Sequence, residues 1–164
     1  MTSGTFGAPV RSRLQATLGA TPPPPPCLRP FTGADVPPLA AAMWAAYRGT
    51  LDEADVGDLP GAAREIQLTL NGEYGTFLPG ASFVADHEGR PVGAALVTLY
   101  RDEPLLAFLF TAPFHAGRGL GRGLVHAAMH ALAAQGHATL SLAVTRRNRR
   151  ARRLYEHLGF VEVG

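Results

Sequence analysis

Between Ala116 and Gly123, four of eight residues are glycine, at positions 117, 119, 121 and 123. Glycine lacks a Cβ, so backbone N–H groups can approach a ligand closely and φ can turn positive. Successive N–H groups at a helix start form a cradle for an anion, aided by the positive end of the helix dipole. Each hydrogen bond to a charged group contributes roughly 1.5–3 kcal/mol, so two or three anchor a pyrophosphate without a lysine. No lysine is available: all 15 basic residues are arginine. That excludes a P-loop, which needs Gly-Lys-Ser/Thr. The dinucleotide fingerprint G-x-G-x-x-G also fails, because its sixth position falls on Arg122, Leu124 or His126 in the three frames. Taken alone, the stretch reads equally as a tight turn before a helix.

A second constellation lies downstream. Asn148, Ala151, Leu154, Tyr155, Gly159 and Phe160 spell Asn-x-x-Ala-x-x-Leu-Tyr-x-x-x-Gly-Phe. Together with Ala116-x-x-Gly119-x-Gly121, preceded by Thr111-x-Pro113, this motif resembles the GNAT superfamily of N-acetyltransferases. The family's loop reads Arg/Gln-x-x-Gly-x-Gly/Ala, and its later motif is matched at every position. The resemblance covers about Leu28 to Val163 in element order and is specific from Leu105 to Phe160. It implies a mixed α/β fold with a largely antiparallel central sheet, a splayed strand pair and flanking helices.

The resemblance also implies roles. Acetyl-CoA is the expected co-substrate, inserted between the splayed strands. Backbone at Leu109, Phe110 and Thr111 is expected to pair with the pantetheine arm. Gly117, Arg118, Gly119, Leu120, Gly121 and Arg122 would hold the pyrophosphate, and Asn148 and Ala151 would contact the cofactor further along. Tyr155 would stand near the thioester sulfur as general acid to the thiolate. A phenol of pKa about 10 is protonated at neutral pH and suits that task. A plain core aromatic beside Leu154 and Leu158 is its alternative role. A backbone N–H of the splayed strand could stabilise the oxyanion. The implied reaction is direct transfer of acetyl to an amine in a ternary complex. No cysteine lies near the motifs, which speaks against a covalent acetyl-enzyme. The alternatives are a catalytically silent acyl-CoA-binding regulator and a basic nucleic-acid binder.

Two positions depart from the family pattern. Ala116 stands where Arg or Gln is usual, which removes a side chain from a cradle built mainly of backbone. Leu105 and Ala143 stand where relatives often carry a carboxylate base. An alkyl ammonium of pKa ~10.4 must lose a proton before attack, costing about 4–5 kcal/mol near neutral pH. Glu103, sharing strand parity with Leu105, is a candidate water-relayed base, with His115 and Glu73 as others. Trp44, Tyr47 and Glu73-Tyr74-Gly75 occupy places where relatives build an acceptor pocket; core packing is the alternative.

Six arginines lie between Thr145 and Arg153. Arg146, Arg147 and Arg149 are expected to meet the 3′-phosphate of CoA. Without interleaved aromatics the run lacks the stacking platforms of a nucleic-acid binder. His126 and His130 stand one helical turn apart, but no third ligand is apparent and an exposed face is the expected reading, with no metal.

These residues need a scaffold of 164 residues, enough for one ordinary domain. Hydrophobic residues make up 46%, which supports a packed core. No apolar run approaches the ~18–20 residues of a membrane helix. The single cysteine, Cys27, excludes an internal disulfide. No secretory signal is recognised, so the cytoplasm is the expected compartment. The oligomeric state is not fixed by the residues, and a homodimer stays open. Charge divides unevenly: Met1–Glu103 carry 7 Arg and 11 acids, whereas Pro104–Gly164 carry 8 Arg and 2 acids. The basic half suits an anionic partner.

Residues 1–26, ending in five prolines, read as a disordered tail outside the acetyltransferase domain at 27–164. The core is then expected as a strand at Cys27–Phe31, a helix to Tyr47 and a helix from Asp58 to Asn71. Strands follow at Ala81–Ala85, Val92–Tyr100 and Leu105–Thr111. Next come a helix to Gln135 with Leu120, Leu124, Ala128 and Leu132 inward, a strand at Thr139–Val144, a helix at Asn148–Leu158 and a last strand at Phe160–Val163.

Overall fold

The computed structural model describes residues 10–164. The chain runs β1 (Arg11–Thr17), β2 (Leu28–Pro30), α1 (Val36–Tyr47), α2 (Glu53–Val56), α3 (Leu59–Leu70), β3 (Thr76–Phe77), β4 (Phe83–His87), β5 (Arg90–Tyr100), β6 (Glu103–Thr111), α4 (Leu120–Ala134), β7 (Thr139–Thr145), α5 (Arg149–His157) and β8 (Val161–Val163). One sheet takes the order β2-β4-β5-β6-β7-β1-β8, with β3 added to β5. Every pairing is antiparallel except β6 with β7. Side chains alternate along β5: Val92, Ala95 and Val97 face the α4 side, while Ala94 and Leu96 face α1 and α3. A core therefore forms on each side of the sheet. On α4 the expected stripe is inward: Leu124, Ala128 and Leu132 are fully buried and Leu120 packs at its edge.

The expected N-terminal tail needs correction. Arg11–Thr17 is a strand, paired with β7 from Arg11↔Thr145 to Thr17↔Thr139 and with β8 from Arg13↔Val163 to Gln15↔Val161. Ser12, Leu14 and Ala16 are buried and alternate with exposed Arg11, Arg13 and Thr17. Only one of the three inward residues is a large hydrophobe, so the period-2 signal is weak in the sequence. The proline run itself lies in neither helix nor strand. Residues 1–9 of the expected tail lie outside the described residues.

The prolines of α1 do not delay that helix. It starts at Val36, and Pro37 and Pro38 sit in its first turn, where no N–H partner is needed. Its entry is tied down by Asp35, 4% exposed, which accepts from Arg29 at 2.7 and 2.9 Å and from the Thr32 N–H at 2.8 Å. Burial opposes ionisation of Asp35. The bonds from Arg29 and Thr32 outweigh it and hold the carboxyl below its ordinary value.

One local irregularity shapes the rest. In β6 the register slips between Leu106, opposite Val97, and Phe108, opposite Leu96, so Ala107 is an extra residue. A bulge bends its strand and increases the twist. Only the Leu105↔Ser141 bridge joins β6 to β7. Beyond it the two strands diverge. Ala107, Phe108 and Leu109 are half-buried rather than sealed on both faces, because they border the gap.

Candidate active site

The gap between β6 and β7 opens into a cleft of about 1170 Å³. One end of it is formed by the turn that follows β6. At that end the chain leaves β6, makes a short turn at Pro113–His115 and enters α4 through Gly119. Gly117 and Gly119 both have φ +78°, a left-handed conformation that side chains resist. No side chain caps α4. Among the described residues, no acceptor pairs with the N–H groups of Gly117 through Arg122. Six donors at the positive end of a 15-residue helix thus lie beside an open cleft. Gly117, Gly119, Leu120, Gly121 and Arg122 line it, but the Arg118 side does not.

The opposite wall comes from β7 and α5. Asn148 is the N-cap of α5: its Oδ1 accepts from the Ala151 N–H at 3.1 Å. That leaves its amide N–H₂ group, which points to Asp52 Oδ2 at 3.5 Å. Ala151, Leu154 and Tyr155 follow on the cleft side of α5. Tyr155 is 8% exposed and stacks edge-on to Phe160 with ring centroids 5.6 Å apart. Its hydroxyl has no hydrogen-bond partner among the described residues. Burial, with a smaller contribution from the Asp52 charge, pushes the phenol well above its ordinary range, so it stays protonated.

A third wall was not expected in full. Tyr47 at the end of α1, Asp52 and Asp55 around α2, Glu65 on α3, Tyr74 before β3 and Arg11 of β1 converge on the cleft. Tyr47 is also held protonated by burial and by facing Tyr155 and the two aspartates. The Tyr74 hydroxyl donates to Glu65, and burial together with that carboxylate pushes it up to about 12. Of the expected acceptor residues, Tyr47 and Tyr74 reach the cleft, whereas Trp44 and Glu73 do not line it. Asp52, Asp55 and Arg11 carry no motif; only the fold gathers them.

Glu103, the candidate water-relayed base, stands away from the cleft. It sits at the outer end of β6 and pairs with Arg13 at 2.7 Å, with both side chains about half exposed. It does not border the cleft. Its parity with Leu105 is right, but β6 first lines the cleft at Leu105, and Glu103 two residues earlier is turned to Arg13. His115 does line the cleft, with Nδ1 buried and unpartnered. Loss of solvent, His87 and Arg118 all lower its proton affinity. In the arginine run, Arg150 lines the cleft, while Arg146 is held by Ser12 and Glu162. Helical spacing finds Arg150, one turn before Leu154. Among the described residues no group of three or more His, Cys, Asp or Glu could hold a metal, and His130 Nδ1 lies 2.8 Å from the Thr21 carbonyl. No helix among them is long and apolar enough to cross a membrane.

Known proteins share this arrangement. The sequence profile of the acetyltransferase (GNAT) family matches residues 44–160, most of the chain. The chain belongs to that family. A mycothiol acetyltransferase of Beutenbergia cavernae is 41% identical over 76 residues, covering 43% of this chain and 26% of its own. This GNAT chain spans between 26% and 57% of the length of the curated relatives it matches. The crystal structure of an N-acetyltransferase from Sphaerobacter thermophilus superposes with a TM-score of 0.70 at 20% identity, over 95% of this chain and 50% of that one. The N-acetyltransferase PaiA from Thermoplasma acidophilum, solved in complex with coenzyme A, superposes with a TM-score of 0.63 at 15% identity, over 80% of this chain and 86% of that one. At those identities the likeness concerns the fold.

Proposed function

We propose that this protein is an N-acetyltransferase that moves acetyl from acetyl-CoA directly to an amine in a ternary complex. The observation that carries the proposal is the gap between β6 and β7, which ends in the unpaired N–H row of Gly117–Arg122. A gap between parallel strands accepts an extended, amide-bearing arm along the free edge of Phe108–Thr111. A row of free N–H groups accepts a pyrophosphate. Few ligands other than a CoA thioester present both in that order. The structure of the Thermoplasma protein, with coenzyme A bound on the same fold, supports the reading.

Bound acetyl-CoA supplies a thioester carbonyl and a thiolate leaving group. The residues of the chain do the rest. Gly117, Gly119, Leu120, Gly121 and Arg122 would hold the pyrophosphate through backbone N–H groups. Arg150, on the rim, offers a cation to the remaining phosphate. Leu109, Phe110 and Thr111 present peptide groups to the pantetheine, and Asn148 offers the second N–H of the amide whose first points to Asp52. Tyr155, protonated and without a partner, is poised to give its proton to the departing sulfur. The reaction is placed in the cytoplasm, in keeping with a chain whose one cysteine can form no internal disulfide.

Two measurements test the proposal. Isothermal titration should give saturable acetyl-CoA binding, and a thiol-release assay over primary amines should show turnover. Binding without turnover would favour a silent acyl-CoA-binding protein. Absence of binding would refute both.

A further inference from the structure

Three carboxylates reach the acceptor side of the cleft, and two are already occupied. Asp55 pairs with Arg11, and Glu65 accepts from the Tyr74 hydroxyl. Asp52 has no cationic partner among the described residues. Its Oδ1 accepts from the Thr145 hydroxyl at 2.6 Å, and its Oδ2 lies 3.5 Å from the Asn148 amide. Both partners belong to the wall that carries the end of β7 and the start of α5. The loop after α1 thus delivers a carboxylate across the cleft to the wall bearing Tyr155. Tyr155 itself is more than nine-tenths buried, borders the same space and has no partner for its hydroxyl. A carboxylate held only by neutral donors and a phenol without a partner, both bordering one cavity, make a proton acceptor and a proton donor on either side of a reacting group.

We propose that Asp52 is the catalytic residue that binds the acceptor as an ammonium ion and takes its proton. This inference rests on the transfer reaction proposed above. The balance is as follows. The ammonium gives one proton to Asp52, which passes it to water. The freed nitrogen lone pair forms the C–N bond, and the C–S bond breaks. The second proton lost from nitrogen equals the one that Tyr155 gives to sulfur and regains. The products are an N-alkylacetamide, CoA thiol and one proton in solution.

The groups facing Asp52 are consistent with that task. Tyr47 closes one side from α1, and Tyr155 closes the other from α5. Asp55 and Arg11 offset each other, while Arg48 lies exposed at the rim and Arg150 lies on the phosphate side. Neither Leu105 nor Ala143 can titrate; of the other groups lining the cleft, Asp55 and Glu65 are already paired and His115 stands next to the Gly117–Arg122 row, which leaves Asp52 on the acceptor side.

The test uses the full chain, acetyl-CoA and a panel of primary alkylamines from n-butylamine to spermidine, with glycinamide as an α-amine. For Asp52→Asn, kcat with alkylamines should fall about a hundredfold or more, within the range of general-base effects. The acetyl-CoA Kd should stay within about threefold, less than the factor of ten that 1.4 kcal/mol gives. The remaining rate should climb about tenfold per pH unit below the amine pKa, because only pre-formed free amine reacts. Glycinamide, whose α-amino group is less basic, should lose less than the alkylamines. Asp52→Glu should recover part of the rate. Thr145→Val, which keeps the carboxylate, should lose less than Asp52→Asn. If Asp52→Asn turns over alkylamines at the original rate and pH profile, the assignment of Asp52 is overturned and the transfer reaction stands. If the unmodified protein binds acetyl-CoA but acetylates none of the amines, both readings fail. If Asp52→Glu and Thr145→Val are as impaired as Asp52→Asn at every pH, Asp52 only holds the loop and the proposal is overturned.

Discussion

The two sides of the cleft are built on opposite plans. The proposed cofactor side presents consecutive backbone: the Gly117–Arg122 N–H row and the free edge of β6. The acceptor side is made of isolated side chains from α1, the loop before α2, α3, the segment before β3 and the N-terminal strand. Backbone recognition needs only that certain side chains be missing, so it leaves a compact glycine pattern. Side-chain recognition needs each group at one point in space, which many sequences can satisfy. The first plan suits a ligand common to a family; the second suits an acceptor particular to one member.

The largest expected effect sharpens this division at the point where the two sides meet. Tyr155→Phe keeps the ring against Phe160 but removes the proton donor. We expect kcat to drop by about 10²–10⁴ while acetyl-CoA affinity holds, as thiol release and titration calorimetry would record. An unchanged kcat would return Tyr155 to plain packing.

Next comes the support of the acceptor side. Leu14 of β1 is 2% exposed. Leu14→Ala should cost about 2–5 kcal/mol in urea unfolding, far more than a residue of a solvated tail would. A third variant breaks the cofactor side alone. Gly119 has φ +78°, and a valine there costs about 1–2 kcal/mol in backbone conformation while turning the N–H row. Acetyl-CoA Kd should rise by about tenfold to a hundredfold, the loss of one or two charge-assisted bonds.

A pH experiment probes the anchor of α1. The folded carboxyl of Asp35 lies below its ordinary value. It therefore contributes stability above that ordinary value, near pH 4 in the unfolded chain, and loses the contribution as pH falls further. The stability gap between the original protein and Asp35→Asn should be full near neutral pH and shrink in acid, followed by thermal melts. The smallest effect is expected for Glu103→Gln. Its pair with Arg13 is half exposed, so stability should change by less than about 1 kcal/mol and the pH–rate profile should not move.

Much of the scaffold was readable because it repeats. The α4 stripe of Leu120, Leu124, Ala128 and Leu132 depends only on neighbours one helical turn apart. The expected α1 and α3 end where the structure ends them, at Tyr47 and near Asn71. Strand β1 escaped notice because Ser12 and Ala16 are small, and its stability comes from β7 and β8, more than a hundred residues away in sequence. Two-residue β3 and four-residue α2 are too short to carry any period.

The residue order by itself determined the anion cradle, the Asn148–Tyr155 segment and the family they signify, because each is a local spacing that backbone geometry converts directly into shape. The place of the proposed base, Asp52, was decided only in three dimensions. Glu103 shares the right strand yet stands at its outer end, paired with Arg13, while Asp52, 93 positions before Thr145, arrives beside it across the cleft. A carboxylate acts over a few ångströms of space, and distance along the chain says nothing of that until the sheet has closed.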